Sequence, residues 1–246
     1  MSGFSLSVVI LATDENRVLT ETVEYIEERC IEKPEKVIIV LSRNATDGCV
    51  KAAEALRDRY GDAVEITVQP EDGLGCAAQH GINQVRTTHM TFFPADLAIE
   101  LEGLDRMMAA AKKNPEVIVK ASRWLEKGSF VEYDKTRLVF NRLAQFFLRV
   151  LFMTRLTDLT SPVQIIPSEY VQQIRWKEKG FGSLIEQSIV PVRLGYKATE
   201  VPVKCFPRTE GESKNSAAKT AMYLFTAIRV RFTPKHKLIK ADNDMQ

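Results

Sequence analysis

Two short, unbroken apolar runs, LSVVILA at 6–12 and KVIIVLS at 36–42, constrain the fold of this chain more than any other feature. A strand apolar at every position needs cover on both faces, which is the habit of parallel sheets. Between and after these runs the pattern changes period. Residues 14–30 are polar and mostly helical in pattern, and TDGCVKAAEALRDRYG (46–61) reads as a helix opened by Thr46 or Asp47 and closed by Gly61. VEITVQ predicts a third strand, PEDGLG a loop, CAAQHGINQV a helix and HMTFF a further strand. Strands separated by helices of this length imply right-handed βαβ units and a parallel sheet. The expected class is α/β, a mostly parallel central sheet flanked by helices in a single domain.

In such sheets ligands sit outside the carboxyl ends of the strands. The segments there are ATDEN, SRNATDG, PEDGLG and PADL, so all four are expected on one rim. The last belongs to FFPADL (92–97), a strand that ends in a proline and a single aspartate, Asp96. Asp96 reads either as a turn or helix-capping residue, bonding nearby backbone, or as one half of a metal site. The convergence of the other three segments favours the metal.

Composition narrows the function. Apolar and charged fractions of 45% and 27% are those of an ordinary globule, and a formal net charge of +2 argues against general nucleic-acid binding. The charge is uneven: from Arg208 onward bases far outnumber acids, the mark of a solvated face or of an anionic-lipid or phosphate contact. Four dispersed cysteines with no CxxC pair, and no secretory leader, lead to the expectation of a reduced, cytoplasmic protein. No apolar run reaches the length needed to span a bilayer. The three histidines show no metal-ligand spacing.

The second half departs from strict alternation. A helix at 104–113 leads to the strand VIVKASRW (117–124), and a long helical pattern follows at 134–153. There Asn141, Arg142, Gln145 and Arg149 form one narrow polar stripe and the rest is apolar. Such a helix is usually buried; on a lipid-handling protein it can instead present a face to acyl chains. SPVQIIP reads as a strand, 182–194 as a helix ended by Gly195, KATEVPVKCF (197–206) as a strand, and Ser216 to Phe232 as a final amphipathic segment. The expected division is a main domain at 1–215 and a basic amphipathic helix and tail at 216–246.

Taken in order, these motifs resemble the family 2 glycosyltransferases of the GT-A fold, in particular the dolichyl-phosphate mannose synthases and related polyprenyl-phosphate glycosyltransferases. VVILATDE is similar to the family's VVIPxYNE, SRNATDG to DDGSTDG, PADL to the metal-binding DADL, ASRW to GSR and RTEGESK to RxxGxSK. Asn141, Asp158, Glu186 and Glu200 also stand where the family has them. The departures are Ser42 and Arg43 for two aspartates, Pro94 for the first aspartate of the metal motif, and Ala98 for a glutamine.

The resemblance implies a nucleotide-sugar pocket formed by Leu11, Ala12, Glu15, Ser42, Arg43, Asp47, Gly73, Gly75, Ala95 and Asp96, with Asp96 the remaining ligand of a weakened Mg²⁺ or Mn²⁺ site. It implies an acceptor-phosphate site of Arg123, Arg137, Arg208, Ser213 and Lys214, with Asp96, Arg123, Arg208 and Lys214 carrying catalysis. Sugar transfer with inversion to a polyprenyl phosphate is the function so implied. The partners would be a nucleotide sugar, the lipid and a membrane surface touched peripherally, but no nucleic acid. Arg43 offers a permanent cation near the diphosphate where the family has carboxylates, or else points into solvent. The rival expectation is a homologue that has lost turnover and binds or scaffolds. A nucleotidyltransferase would need a basic glycine-rich loop near the N-terminus, which ILATDEN is not.

Overall fold

The computed structural model describes residues 3–207 and 217–241. Seven strands form one sheet: β1 (Leu6–Ala12), β2 (Lys36–Leu41), β3 (Val64–Val68), β4 (His89–Phe92), β5 (Ile118–Ser122), β6 (Gln164–Pro167) and β7 (Ala198–Pro202). Their order is β3-β2-β1-β4-β6-β5-β7, and only β6 runs antiparallel to its neighbours. The carboxyl ends of the other six strands therefore share one rim.

The helices are α1 (Arg17–Glu28), α2 (Asp47–Tyr60), α3 (Leu74–Gln84), α4 (Glu102–Lys113), α5 (Lys135–Phe152), α6 (Ser168–Gln173), α7 (Gly182–Leu194) and α8 (Ala217–Phe232). Alternate residues of the central strands feed opposite cores, as the strand period of two requires. Val8, Ile10 and Ile39 pack with Leu19, Val23, Leu56 and Met107 of α1, α2 and α4. Val9, Ile38 and Val40 pack with Ala77 and Ile82 of α3 and Val171 of α6. This two-sided cover is why the strand runs are apolar at every position.

Local signals set the helix ends. Thr46 caps α2, its Oγ1 accepting from the Cys49 amide at 3.3 Å, and Asp134 caps α5 by accepting from the Arg137 amide at 2.7 Å. Gly195 ends α7 in the left-handed region at φ 96°. β7 is shorter than the apolar pattern suggests, because residues 203–206 leave it to run beside 98–100.

A third core joins Leu148 of α5, Ile185, Ile189 and Val190 of α7, and Ala227 and Val230 of α8. Here the long helix behaves opposite to the usual expectation for an apolar helix. Gln145, a member of its polar stripe, is buried with Leu148, while Phe140 and Phe146 are each 67% exposed. The apolar side of α5 faces outward.

One charge lies in the sheet itself. Lys120 of β5 is fully buried, donating from Nζ to Gln164 Oε1 (2.9 Å) and to Ser188 Oγ (3.0 Å). Burial pulls its ammonium down to about 8, against the attraction of Asp158 and Glu200. An unfolded lysine holds its proton to higher pH, so the unfolded chain binds more protons above that value and folding stability rises with pH. Relative to Lys120→Met, the wild type is expected to gain about 2 kcal/mol of stability between about pH 8 and pH 10. Urea denaturation of both proteins across that range measures it, and parallel curves refute it.

Candidate functional site

At the rim, backbone hydrogen bonds tie the first three loops together. The Ser42 amide donates to Ala12 O and the Thr46 amide to Thr13 O, each at 2.8 Å, and the Gln69 amide donates to Leu41 O at 3.0 Å. Glu15 folds back on its own loop, its Oε2 accepting from the Thr13 (2.8 Å) and Asp14 (3.2 Å) amides. Arg43 reaches from the second loop to the third, Nη1 donating to Pro70 O at 3.4 Å. Asp47 sits in the first turn of α2, where a carboxylate complements the helix dipole. Leu11 and Ala12 end β1 beneath these loops.

Asp96 follows β4 and is only 6% exposed. Its Oδ1 accepts from the Ala98 amide at 3.0 Å, closing a turn over Leu97, which takes φ 55°. It caps no helix, since α4 begins at Glu102. Residues 204–206 run beside this turn: the Glu100 amide donates to Lys204 O (3.1 Å) and the Phe206 amide to Ala98 O (2.9 Å). Ala95 is buried in the same turn. Arg208, Ser213 and Lys214 lie outside the described residues, and so does the expected boundary at 215/216. Among the described residues no three His, Cys, Asp or Glu side chains gather where an ion could bind. A divalent ion held near Asp96 would draw on fewer than three such side chains among the described residues and would take the rest of its shell from substrate phosphate and water, as Mg²⁺ commonly does.

Beyond the end of β5, the fully buried Asp158 collects donors from three parts of the chain. Arg123 gives its amide (3.2 Å) and Nε (2.7 Å) to Oδ2 and its Nη2 (3.0 Å) to Oδ1. Gln145 of α5 donates to Oδ1 at 3.0 Å, and the Thr160 and Ser161 amides each do so at 3.1 Å. Burial alone would raise this carboxyl; the Arg123 charge and its hydrogen bonds outweigh that and hold it below the usual range. The same pairing raises the Arg123 guanidinium against the opposing effect of burial. Glu200 ties β7 to the loop that carries Asp158, accepting from the Thr157 and Asp158 amides.

Arg123 was expected as a phosphate-binding base. Its two-point pairing with Asp158, with a further donation to Thr160 Oγ1 at 2.8 Å, makes it first the partner of a buried carboxylate. Arg137, in the first turn of α5, is exposed. Asn141 lies one turn before Gln145 and donates to Tyr133 Oη at 2.9 Å.

Gly73 and Gly75 answer to the protein's own backbone. A Cβ on Gly75 would overlap the carbonyl oxygen of Glu178, and one on Gly73, at φ 121°, that of Lys179. The Gly75 amide donates to Lys179 O at 2.8 Å, and Lys179 pairs with Glu71 at 2.8 Å. The 177–179 segment is held in turn by Glu186, whose Oε2 accepts from the Lys177 and Glu178 amides, each at 3.0 Å. Arg229 of α8 then joins both acids, 2.8 Å from Glu186 and 3.0 Å from Glu178. Sequence reasoning placed Gln145 in the polar stripe of the long helix without its partner, and missed Glu178, Lys179 and Arg229. Each is a long polar side chain whose partner lies far along the chain, and no local pattern signals that.

The glycosyl transferase family 2 model matches residues 7–175, most of the chain and all of the rim loops just described. The chain belongs to glycosyl transferase family 2. Among its relatives is an undecaprenyl-phosphate mannosyltransferase of Micrococcus luteus, 24% identical over 189 residues that span 74% of this chain and 77% of that protein. Among solved structures, glucosyl-3-phosphoglycerate synthase from Mycobacterium tuberculosis in complex with Mg²⁺ and UDP superposes with TM-score 0.73 at 15% identity. That match covers 95% of this chain and 81% of the other. The same enzyme with Mn²⁺, UDP and glucosyl-3-phosphoglycerate gives TM-score 0.71 at 15% identity, covering 95% and 82%. The architecture is the GT-A glycosyltransferase fold.

Two features of this family 2 member bear direct tests. Asp158→Ala leaves the half-buried Arg123 without its counter-charge and the buried Gln145 and Ser161 donors without an acceptor, and is expected to cost about 3–5 kcal/mol in chemical denaturation; a loss under about 1 kcal/mol overturns its role as the hub. Gly75→Ala must push backbone away from backbone, costing about 1–3 kcal/mol by the same measurement. It is also expected to weaken nucleotide binding by titration calorimetry, and unchanged values for both would refute the close-approach account.

Proposed function

We propose that the protein transfers a sugar, with inversion, from a nucleoside-diphosphate sugar to a polyprenyl phosphate at a membrane surface. The observation that carries the acceptor assignment is the outward apolar side of α5, on the helix whose Gln145 reaches the Arg123–Asp158 pair. A water-soluble acceptor gives no reason for such a face. The undecaprenyl-phosphate mannosyltransferase relative supports the same reading.

On this reading the donor lies over the loops at 13–16, 42–46, 69–73 and 93–97. An oxygen of the acceptor phosphate attacks the anomeric carbon as the bond from that carbon to the diphosphate oxygen breaks, and the nucleoside diphosphate leaves with the electron pair. The acceptor needs no general base, because the second ionisation of a phosphomonoester is near pH 6 and it is largely dianionic at neutral pH. What it needs is positive charge to hold two anions together. Arg208 and Lys214 follow residues 204–206, which lie beside the Asp96 turn. Arg43, exposed and spanning two donor loops, is suited to the diphosphate. A bound Mg²⁺ or Mn²⁺ would supply neutralisation of the leaving diphosphate.

One observation favours a binding-only homologue instead: Ser42, Arg43 and Pro94 leave the donor rim short of carboxylates, and no three-ligand cluster forms among the described residues. A screen of nucleotide sugars against a short-chain polyprenyl phosphate and 3-phosphoglycerate separates the readings. Lipid-linked sugar is the expected product. Transfer only to 3-phosphoglycerate overturns the acceptor, and nucleotide binding without any product supports the binding-only protein. Arg43→Ala is expected to raise the nucleotide dissociation constant about tenfold, most sharply without divalent ion, since a charge-assisted hydrogen bond contributes about 1.5–3 kcal/mol. An unchanged constant in titration calorimetry places Arg43 in solvent.

A further inference from the structure

We infer that α5 and α8 together form a docking surface for an anionic lipid bilayer, with both helices lying along it. This deepens the acceptor reading above and rests on it for purpose, though the surface is argued from its own chemistry. On α5 the exposed apolar side chains are Val139, Phe140, Leu143, Phe146 and Val150, which recur at helical spacing on one side. On α8, Phe225, Ile228 and Phe232 do the same, with Phe232 74% exposed. The helices touch: Arg231 Nε donates to Leu151 O at 2.7 Å, and Leu148 packs in one core with Ala227 and Val230. The two helices thus pack against each other on one shared core, and each exposes several large apolar side chains on its other side, more than scattered single residues provide.

Charge selects the occupant. Between Asp134 and Asp158 there is no acidic residue, and none between residues 217 and 241. The exposed bases of these segments include Arg142, Arg149, Arg155, Lys235 and Lys237. Among the described residues the three arginines form no ion pair with an acid. Large apolar side chains bordered by uncompensated bases match the boundary between acyl chains and acidic headgroups. A second copy of this chain would set these bases against their own kind. No helix here is long and apolar enough to cross a membrane, so the contact is interfacial.

The test uses the whole protein and vesicles that contain no polyprenyl phosphate, so the outcome is independent of the acceptor. Flotation is expected with phosphatidylcholine vesicles carrying phosphatidylglycerol, and much less with phosphatidylcholine alone. Replacing Phe140 and Phe146 by Glu is expected to lower the bound fraction about tenfold or more, and replacing Arg142 and Arg149 by Ala about tenfold, with the latter loss reproduced by high salt. All four positions are exposed, so thermal melts of the variants should match the wild type. Absence of flotation, equal flotation of wild type and variants, or a dimer in light scattering that Phe146→Glu dissociates would each overturn the proposal. If vesicles bind but no lipid-linked sugar forms, the docking surface stands and the acceptor assignment falls.

Discussion

The Asp158 carboxylate is the constraint on which the arrangement of the second half depends. An ionised group removed from water is stable only if charge and hydrogen bonds replace its hydration. Here the replacement comes from the end of β5 through Arg123, from α5 through Gln145, and from the following turn through Thr160 and Ser161. Because these donors come from separate elements, the carboxylate fixes their relative positions as no apolar contact would. Apolar packing is non-directional; a cage of seven hydrogen bonds, one of them from the Thr160 hydroxyl, is not. Glu200, immediately below, fixes β7 to the same turn, and fully buried Lys120 adds a compensating charge to both acids.

The buried face of α5 follows from that demand. A helix obliged to send Gln145 inward keeps the Asn141–Gln145 edge of its polar stripe against the protein, leaving Arg142 and Arg149 at the border and its phenylalanines outside. The helical period then dictates the rest: if 141, 145 and 148 point in, then 139, 143, 146 and 150 point out. The exposed apolar surface is thus the geometric consequence of the electrostatic hub rather than a separate feature. One residue choice at 145 serves the interior, and its complement on the same helix defines the exterior.

Much of the first half was legible in sequence because its determinants are local. Continuous apolar strands, a Thr cap at 46 and a Gly stop at 61 each act within a few residues, and the parallel sheet with its common rim follows from their order. The second half was legible only in outline. The stripe at 141, 142, 145 and 149 was visible, but periodicity reports that two faces differ without saying which is inside. Arg123 looked like a free base because its partner lies 35 residues away. Gly73 and Gly75, expected in the donor pocket, also admit the backbone of residues 178 and 179, a contact that no local pattern announced. In each case the missing information was a long-range pairing.

Those pairings also connect the two ends of the site. Arg229 lies on α8 one position after Ile228 of the apolar face, and its guanidinium holds Glu178 and Glu186 on the inner side. Glu186 fixes the 177–178 amides, and the next carbonyl, Lys179 O, receives Gly75 at the start of the donor loop. A shift of α8 against α7 therefore strains a part-buried double ion pair, in which only Glu186 is fully enclosed, or a backbone contact with no room for a Cβ. One unbroken series of contacts therefore runs from the outer helix through α7 and the 177–179 segment to the start of α3 at Gly75, fixing the position of one relative to the other.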